Sequence, residues 1–111
     1  MAKIGTMTLT GKSGKSYEFA VYSRDTSFKE LGAVYLQSKR TVKAKGGGSH
    51  EFIYIGETGD LSKRPLNHER KPCFDKHGSN CVSIYLESNE QKRLDIETDL
   101  RRAYDPPCNR Q

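Results

Sequence analysis

The sequence predicts a small α/β (α+β) domain in which a mixed or antiparallel sheet is flanked by helices. Three observations predict it. Five short runs are rich in β-branched and aromatic residues, two helix-start signals stand in the second half, and the chain of 111 residues fits one domain spanning residues 1–111. A chain this long buries one core and little more. No internal repeat and no linker-like composition shift divides it.

The first two runs, Thr6–Leu9 and Tyr17–Tyr22, read as strands joined by a hairpin loop at Gly11-Lys-Ser-Gly14. Ser27-Phe-Lys-Glu30 has capping-box spacing, but Gly32 follows closely, so only a short helix is expected there. Ala33–Leu36 is the third strand. A loop across residues 41–49 follows, carrying Gly46-Gly47-Gly48 among basic neighbours. It is either a long hairpin connection or a ligand-facing loop. Phe52–Ile55 is the fourth strand, broken by Gly56 and Gly59, and Asp60 or Ser62 can cap a following helix. Pro65 sets the start of that helix close to Ser62, because proline is tolerated in a first turn and costly later. Cys81–Leu86 is the fifth strand. Ser88-Asn-Glu-Gln91 opens the longest helix with a capping box, and Pro106-Pro107 ends it.

Charged residues make up 30% of the chain, with a net charge of +5, a pI near 9.2 and a mean hydropathy of −0.83. That excess favours a nucleic-acid partner only where the charges cluster. Lys39, Arg40, Lys43 and Lys45 surround the glycine loop, and Lys63 and Arg64 follow the fourth strand. No apolar h-region opens the chain and no run approaches a membrane span, so a cytoplasmic protein without membrane attachment is expected. Cys73, Cys81 and Cys108 are an odd number, read as free thiols in a reducing compartment. Cys73, His77 and Cys81 have spacing that could hold a metal, but no fourth ligand is evident.

The last helix carries an oddity. At about 100° per residue, Ile96, Leu100, Ala103 and Tyr104 share an apolar face, and Glu97 falls at its edge. A carboxylate beside an apolar face costs desolvation unless it is paired or binds a cation. An ion pair with Arg64, Arg93 or Arg101 is one solution. A hard cation held by one carboxylate, water and phosphate is the other.

These residues together resemble the GIY-YIG nuclease domain across residues 32–109. Ala33-Val34-Tyr35 stands for the first motif. Tyr54-Ile55-Gly56 opens the second, which continues through Thr58, Asp60 and Leu61 to Arg64 and His68. Glu97 follows on a later helix, and Pro107-Cys108-Asn109 closes the set. Taken singly, each has a plain structural reading: core or edge tyrosines, a surface imidazole, a chain-end asparagine. Their joint order is what carries the resemblance.

The resemblance implies a three-stranded antiparallel sheet flanked by helices, and Mg²⁺- or Mn²⁺-dependent hydrolysis of a DNA phosphodiester. It implies Tyr35 as base or water-orienting phenol, Tyr54 as a second phenol, Arg64 on the scissile phosphate and His68 assisting proton transfer. Glu97 would hold the metal and Asn109 would brace the site. Physical chemistry supports those types, since a guanidinium grips two phosphate oxygens at once, whereas a phenol with an ordinary pKa near 10 needs help to act as a base. Gly56 would let backbone pass close to Tyr35 or substrate where a Cβ would intrude. Lys39, Arg40, Lys43, Lys45, Lys63 and Arg64 are the expected DNA contacts, with branched or damaged DNA among the substrates and a homodimer or partner domain as a source of selectivity.

Two departures are specific. Ala33 stands where the name motif has glycine, and Glu57 stands where some members carry lysine, so an inward-pointing acid there would repel phosphate. A catalytically weak or inactive nucleic-acid-binding module on the same scaffold is the alternative function. Residues 5–22, the N-terminal hairpin, lie outside the resemblance and could add strands, shield an edge or mediate pairing.

Overall fold

A computed structural model of the chain describes residues 3–42, 44, 48–63 and 69–109. Its strands are β1 (Gly5–Thr10), β2 (Ser16–Ser23), β3 (Ala33–Val42), β4 (Gly48–Thr58) and β5 (Cys81–Leu86). Its helices are α1 (Lys71–Lys76) and α2 (Glu90–Ala103), and a 3-10 turn covers Pro107–Asn109. The strands form one sheet in the order β1-β2-β5-β3-β4, and every pairing is antiparallel. The antiparallel alternative is therefore the observed one. The N-terminal hairpin is part of this sheet, because β2 pairs with β5 from Ala20↔Ile84 to Ser23↔Cys81.

Strand β3 explains itself by its position. It lies between β5 and β4 and is covered on both faces, so Ala33 through Ser38 are all buried rather than alternating. One face carries Leu9, Phe19, Val34, Leu36 and Ile55, packed on Ile96 and Leu100 of α2. The other carries Ala33, Tyr35, Val82 and Ile84, with Leu61 packed among them and Tyr22, Phe28 and Tyr54 at the margin. Full burial of each large aliphatic contributes roughly 1.5–3 kcal/mol before the entropy of ordering it. A register shift between Gln37 and Ser38 leaves Ile53 without a direct partner, since Gln37 pairs with Tyr54 and Ser38 with Phe52. That extra residue packs on Phe74 of α1 and on Cys108.

Four expectations change. Residues 24–32 form turns and loop instead of a helix at Ser27–Glu30, and Phe28 docks edge-on against Tyr22 with ring centroids 5.4 Å apart. Gly32 leaves a capping box there too few residues to complete a hydrogen-bonded turn and still enter β3. The helix after β4 is seen at Lys71–Lys76, with turns at residues 61–63, so a start at Ser62 is not observed; Pro65 lies outside the described residues. The N-cap of α2 is Asn89 rather than Ser88, its side chain accepting from the Lys92 N–H at 2.9 Å. The buried face of α2 is Arg93, Ile96 and Leu100, while Ala103 is exposed and Tyr104 is half-buried beyond the helix end.

The cysteine expectation is corrected as well. Cys73 and Cys108 form a disulfide that ties α1 to the 3-10 turn, and Cys81 is a free, buried thiol. Among the described residues no helix is long and apolar enough to cross a membrane.

Candidate active site

The second motif lies on β4, an edge strand, and its register against β3 decides what meets what. Tyr35 pairs directly with Gly56, and Gln37 with Tyr54, so the phenols of Tyr35 and Tyr54 share the face away from α2. Their ring centroids are 6.0 Å apart, and Tyr54 in turn lies 5.3 Å from Phe74 of α1. The space over Gly56 is filled by these rings. A Cβ there would stand 2.9 Å from Tyr35 Oη and 2.7 Å from Tyr54 Cε2, so no larger residue fits without displacing a phenol. Tyr35 is only 1% exposed, and its hydroxyl lies over Gly56.

Asn109 holds the same strand from outside. Its Oδ1 accepts from the Ile55 N–H at 2.8 Å, and its Nδ2 donates to the Ile55 carbonyl at 2.8 Å. One side chain thereby supplies both ladder hydrogen bonds that an edge residue otherwise leaves to water. Ile55 is fully buried, so the clamp satisfies backbone groups at the strand edge between Tyr54 and Gly56.

Glu57 points the other way. It pairs with Val34 on the α2 face, and its Oε1 accepts from Arg93 Nε at 2.9 Å. Arg93 is buried, and its Nη1 donates to the carbonyls of Glu87 and Ser88 at 3.1 and 2.9 Å. Gly32 makes the room, since a Cβ there would lie 2.6 Å from Arg93 Nη1. The acid of the second motif is thus directed into an ion pair on the α2 face, opposite the face that carries the two phenols. The sequence offers Arg93 as an ion-pair partner for Glu97, but it pairs with Glu57 instead, and positions 93, 96 and 100 share one helical phase that turns it inward.

Glu97 lies on α2, is half-buried, and is near enough to Glu57 of β4 for the two charges to interact. Burial raises the pKa of its carboxyl and nearby Glu57 adds to that, while Arg101 acts against them. Among the described residues no ion pair or hydrogen bond forms on this carboxylate, so of the arginines expected to neutralise it, Arg93 is committed to Glu57 and Arg101 acts only at a distance. A carboxylate held short of donors, with partial solvent access, suits a hard cation that brings its own waters. No group of three His, Cys, Asp or Glu ligands among the described residues includes Glu97.

The expected site residues divide accordingly. Tyr35, Tyr54 and Gly56 come together on one face and Asn109 clamps their strand, whereas Glu97 is on α2, across the sheet from the two phenols and near Glu57. Arg64 and His68 lie outside the described residues, as do Lys43 and Lys45. Lys39 and Arg40 are on the far arm of β3, Lys39 roughly 13 Å along the strand from Tyr35. Lys63 is exposed and stands 3.9 Å from Asp60. No family model, curated protein or solved structure matches the chain.

Proposed function

We propose that the chain is a metal-dependent DNA endonuclease that hydrolyses phosphodiesters through a GIY-YIG type of site built around β4. The observation that carries this reading is Glu97, a half-buried carboxylate with a raised pKa and no ionic partner among the described residues, set beside the strand that bears the tyrosine motif. Strands β4-β3-β5 supply the antiparallel trio that the motif order requires, and the hairpin β1-β2 extends it. Glu57 is ion-paired with Arg93, which offsets part of the negative charge it would otherwise set against a phosphate near Glu97.

Glu97 would hold Mg²⁺ or Mn²⁺, whose chemistry there is neutralisation of phosphate charge and activation of a bound water. Tyr35, buried with its hydroxyl against Gly56, suits fixed orientation of a water better than free exchange with solvent. Tyr54 buttresses it against Phe74. Arg64 would grip the phosphate bidentately and His68 would pass a proton. Lys39, Arg40, Lys43, Lys45 and Lys63 would track the DNA backbone by charge, without reading bases.

The test is cleavage of plasmid, flap, branched and single-stranded DNA with Mg²⁺ or Mn²⁺, beside Glu97→Gln, Tyr35→Phe and Arg64→Ala. Wild type is expected to cut, EDTA to stop it, and each variant to lose turnover while keeping its circular dichroism spectrum. Equal cutting by wild type and Glu97→Gln overturns the metal assignment. Salt-sensitive DNA binding with no cleavage under either metal replaces the enzyme by the binding module.

A further inference from the structure

We propose that Cys73, His77 and Cys108 form a binding site for a thiophilic divalent cation of the Zn²⁺ class, available when the Cys73–Cys108 disulfide is reduced. One Sγ from each cysteine and one ring nitrogen of His77 all lie within 4.8 Å of one another. The local structure makes this cluster. Cys73 is inside α1 and His77 is its C-cap, four residues on and so on the same side of the helix. Cys108 arrives from a sequence separation of 35 on the 3-10 turn, its Cα 5.9 Å from that of Cys73. Zn–S near 2.3 Å and Zn–N near 2.0–2.1 Å put tetrahedral donors roughly 3.4–3.8 Å apart, which the cluster accommodates once the sulfurs are no longer bonded.

The chemistry selects the ion. Two thiolates and an imidazole are a soft to borderline set, matched to Zn²⁺ and poorly matched to Mg²⁺. In the oxidised state neither sulfur is a thiolate. An external dithiol supplies two electrons and two protons to give two cysteine thiols, and is itself oxidised to a disulfide. Metal binding then displaces the two thiol protons to water. Cys108 is buried against Ile53 and Phe74, whereas Cys73 is half-buried and His77 exposed, so a water can reach the fourth position. Cys81, the ligand that sequence spacing suggested beside Cys73 and His77, is not in the cluster. It is buried on β5, and burial pushes its thiol pKa up. Both the disulfide and the metal would fasten the 3-10 turn to α1, keeping Asn109 seated on Ile55, and the reduced metal-free chain is the slack state.

Co²⁺ titration of the full chain tests this without reference to DNA cleavage. The protein is reduced with a dithiol, cleared of reductant in the absence of air, and compared with the unreduced protein. The expected result is one Co²⁺ per reduced chain with a thiolate-to-cobalt charge-transfer band, displaced by Zn²⁺, and no band in the unreduced protein. Cys108→Ser should abolish the band and Cys81→Ser should leave it. His77→Ala, which keeps both cysteines and the disulfide and so controls for folding, should weaken Co²⁺ binding by at least the roughly 10–100-fold that even indirect metal contacts supply. Absence of a band in the reduced wild type overturns the proposal. So does a band untouched by Cys108→Ser or His77→Ala, or one lost in Cys81→Ser.

Discussion

The end of α2 that meets the N-terminal hairpin and the stretch that meets β4 each present a carboxylate to the sheet, and the protein handles the two in opposite ways. Asp99, at the hairpin, accepts from the Ser13 N–H at 2.8 Å, the Ser13 hydroxyl at 2.7 Å and the Tyr17 phenol at 3.0 Å. Those donors hold its carboxyl below the usual range, and burial together with Asp99 pushes the Tyr17 phenol up to about 12. Glu97, two residues earlier and roughly 200° around the helix, has no such donors among the described residues and its pKa is raised by burial. Asp99, already satisfied, makes a joint between α2 and the hairpin, whereas Glu97 is left without such donors.

The largest effect is expected at the residue that keeps these roles separate. Arg93 neutralises Glu57, which otherwise would stand unpaired next to Glu97. Arg93→Ala leaves a half-buried acid without its partner and should cost about 3–5 kcal/mol, toward the lower end because Glu57 retains some solvent. Urea unfolding at neutral pH measures it. A loss below about 1 kcal/mol would place the pair among surface ion pairs and blur the contrast.

The clamp at the strand edge comes next. Asn109→Ala removes both bonds to Ile55 and leaves its buried backbone groups dependent on water, at a cost of about 1–3 kcal/mol. Asn109→Asp keeps the acceptor but sets a carboxylate oxygen against the Ile55 carbonyl, so it should cost at least as much as alanine at neutral pH. Hydrogen exchange should quicken at Ile55 in the alanine variant while the hairpin amides of β1 and β2 stay protected. If both regions loosen together, the clamp is not local to β4.

Much of this architecture was legible in the chain. All five strands were, because each carries β-branched or aromatic residues into a core. The arms beyond Leu36 and before Phe52 were not, since Ser38 to Val42 and Gly48 to Glu51 pair through backbone with little apolar signal. The close approach at Gly56 was readable from a glycine two residues after the motif tyrosine Tyr54. The role of Arg93 was hidden by its charge, although its helical phase pointed inward. The Cys73–Cys108 pairing was not readable at all, because the spacing of three cysteines does not specify which two meet. The turn of Glu57 toward α2 followed from strand alternation only once the β3 register was known.

The two carboxylates on α2 also predict opposite signs. For Glu97 the folded pKa lies above the unfolded one, so its ionisation works against the fold, and stability falls as pH rises through the ordinary glutamate range toward the folded value. Glu97→Gln should therefore melt higher than wild type at neutral pH, with the gain vanishing in acid below the ordinary glutamate pKa, even as cleavage is lost. For Asp99 the folded pKa lies below the unfolded one, so its contribution is present above the ordinary aspartate value and is lost as pH falls through the folded one. Asp99→Asn should melt lower than wild type at neutral pH, converge with it in acid, and cleave as wild type does. Thermal melts of the three proteins from acid to neutral pH check both signs at once. Shifts of the same sign would mean that the two carboxylates do the same job.

The smallest effect belongs to a residue that serves neither region in particular. Ser83 is fully buried on β5 between Val21 and Leu36, and its Oγ has no hydrogen-bond partner among the described residues. A buried hydroxyl without a partner opposes folding through its lost hydration, so Ser83→Ala removes a penalty and only one small atom of packing. The expected change is a stabilisation of about 0.5–1 kcal/mol, read as a rise in melting temperature with unchanged cleavage. Because β5 joins the hairpin to β3, hydrogen exchange should slow equally on β1-β2 and on β3-β4. A destabilised Ser83→Ala would instead mean that the hydroxyl is satisfied by a buried water, and slowing confined to one side would mean that the hairpin and the β4 region fold as separate units.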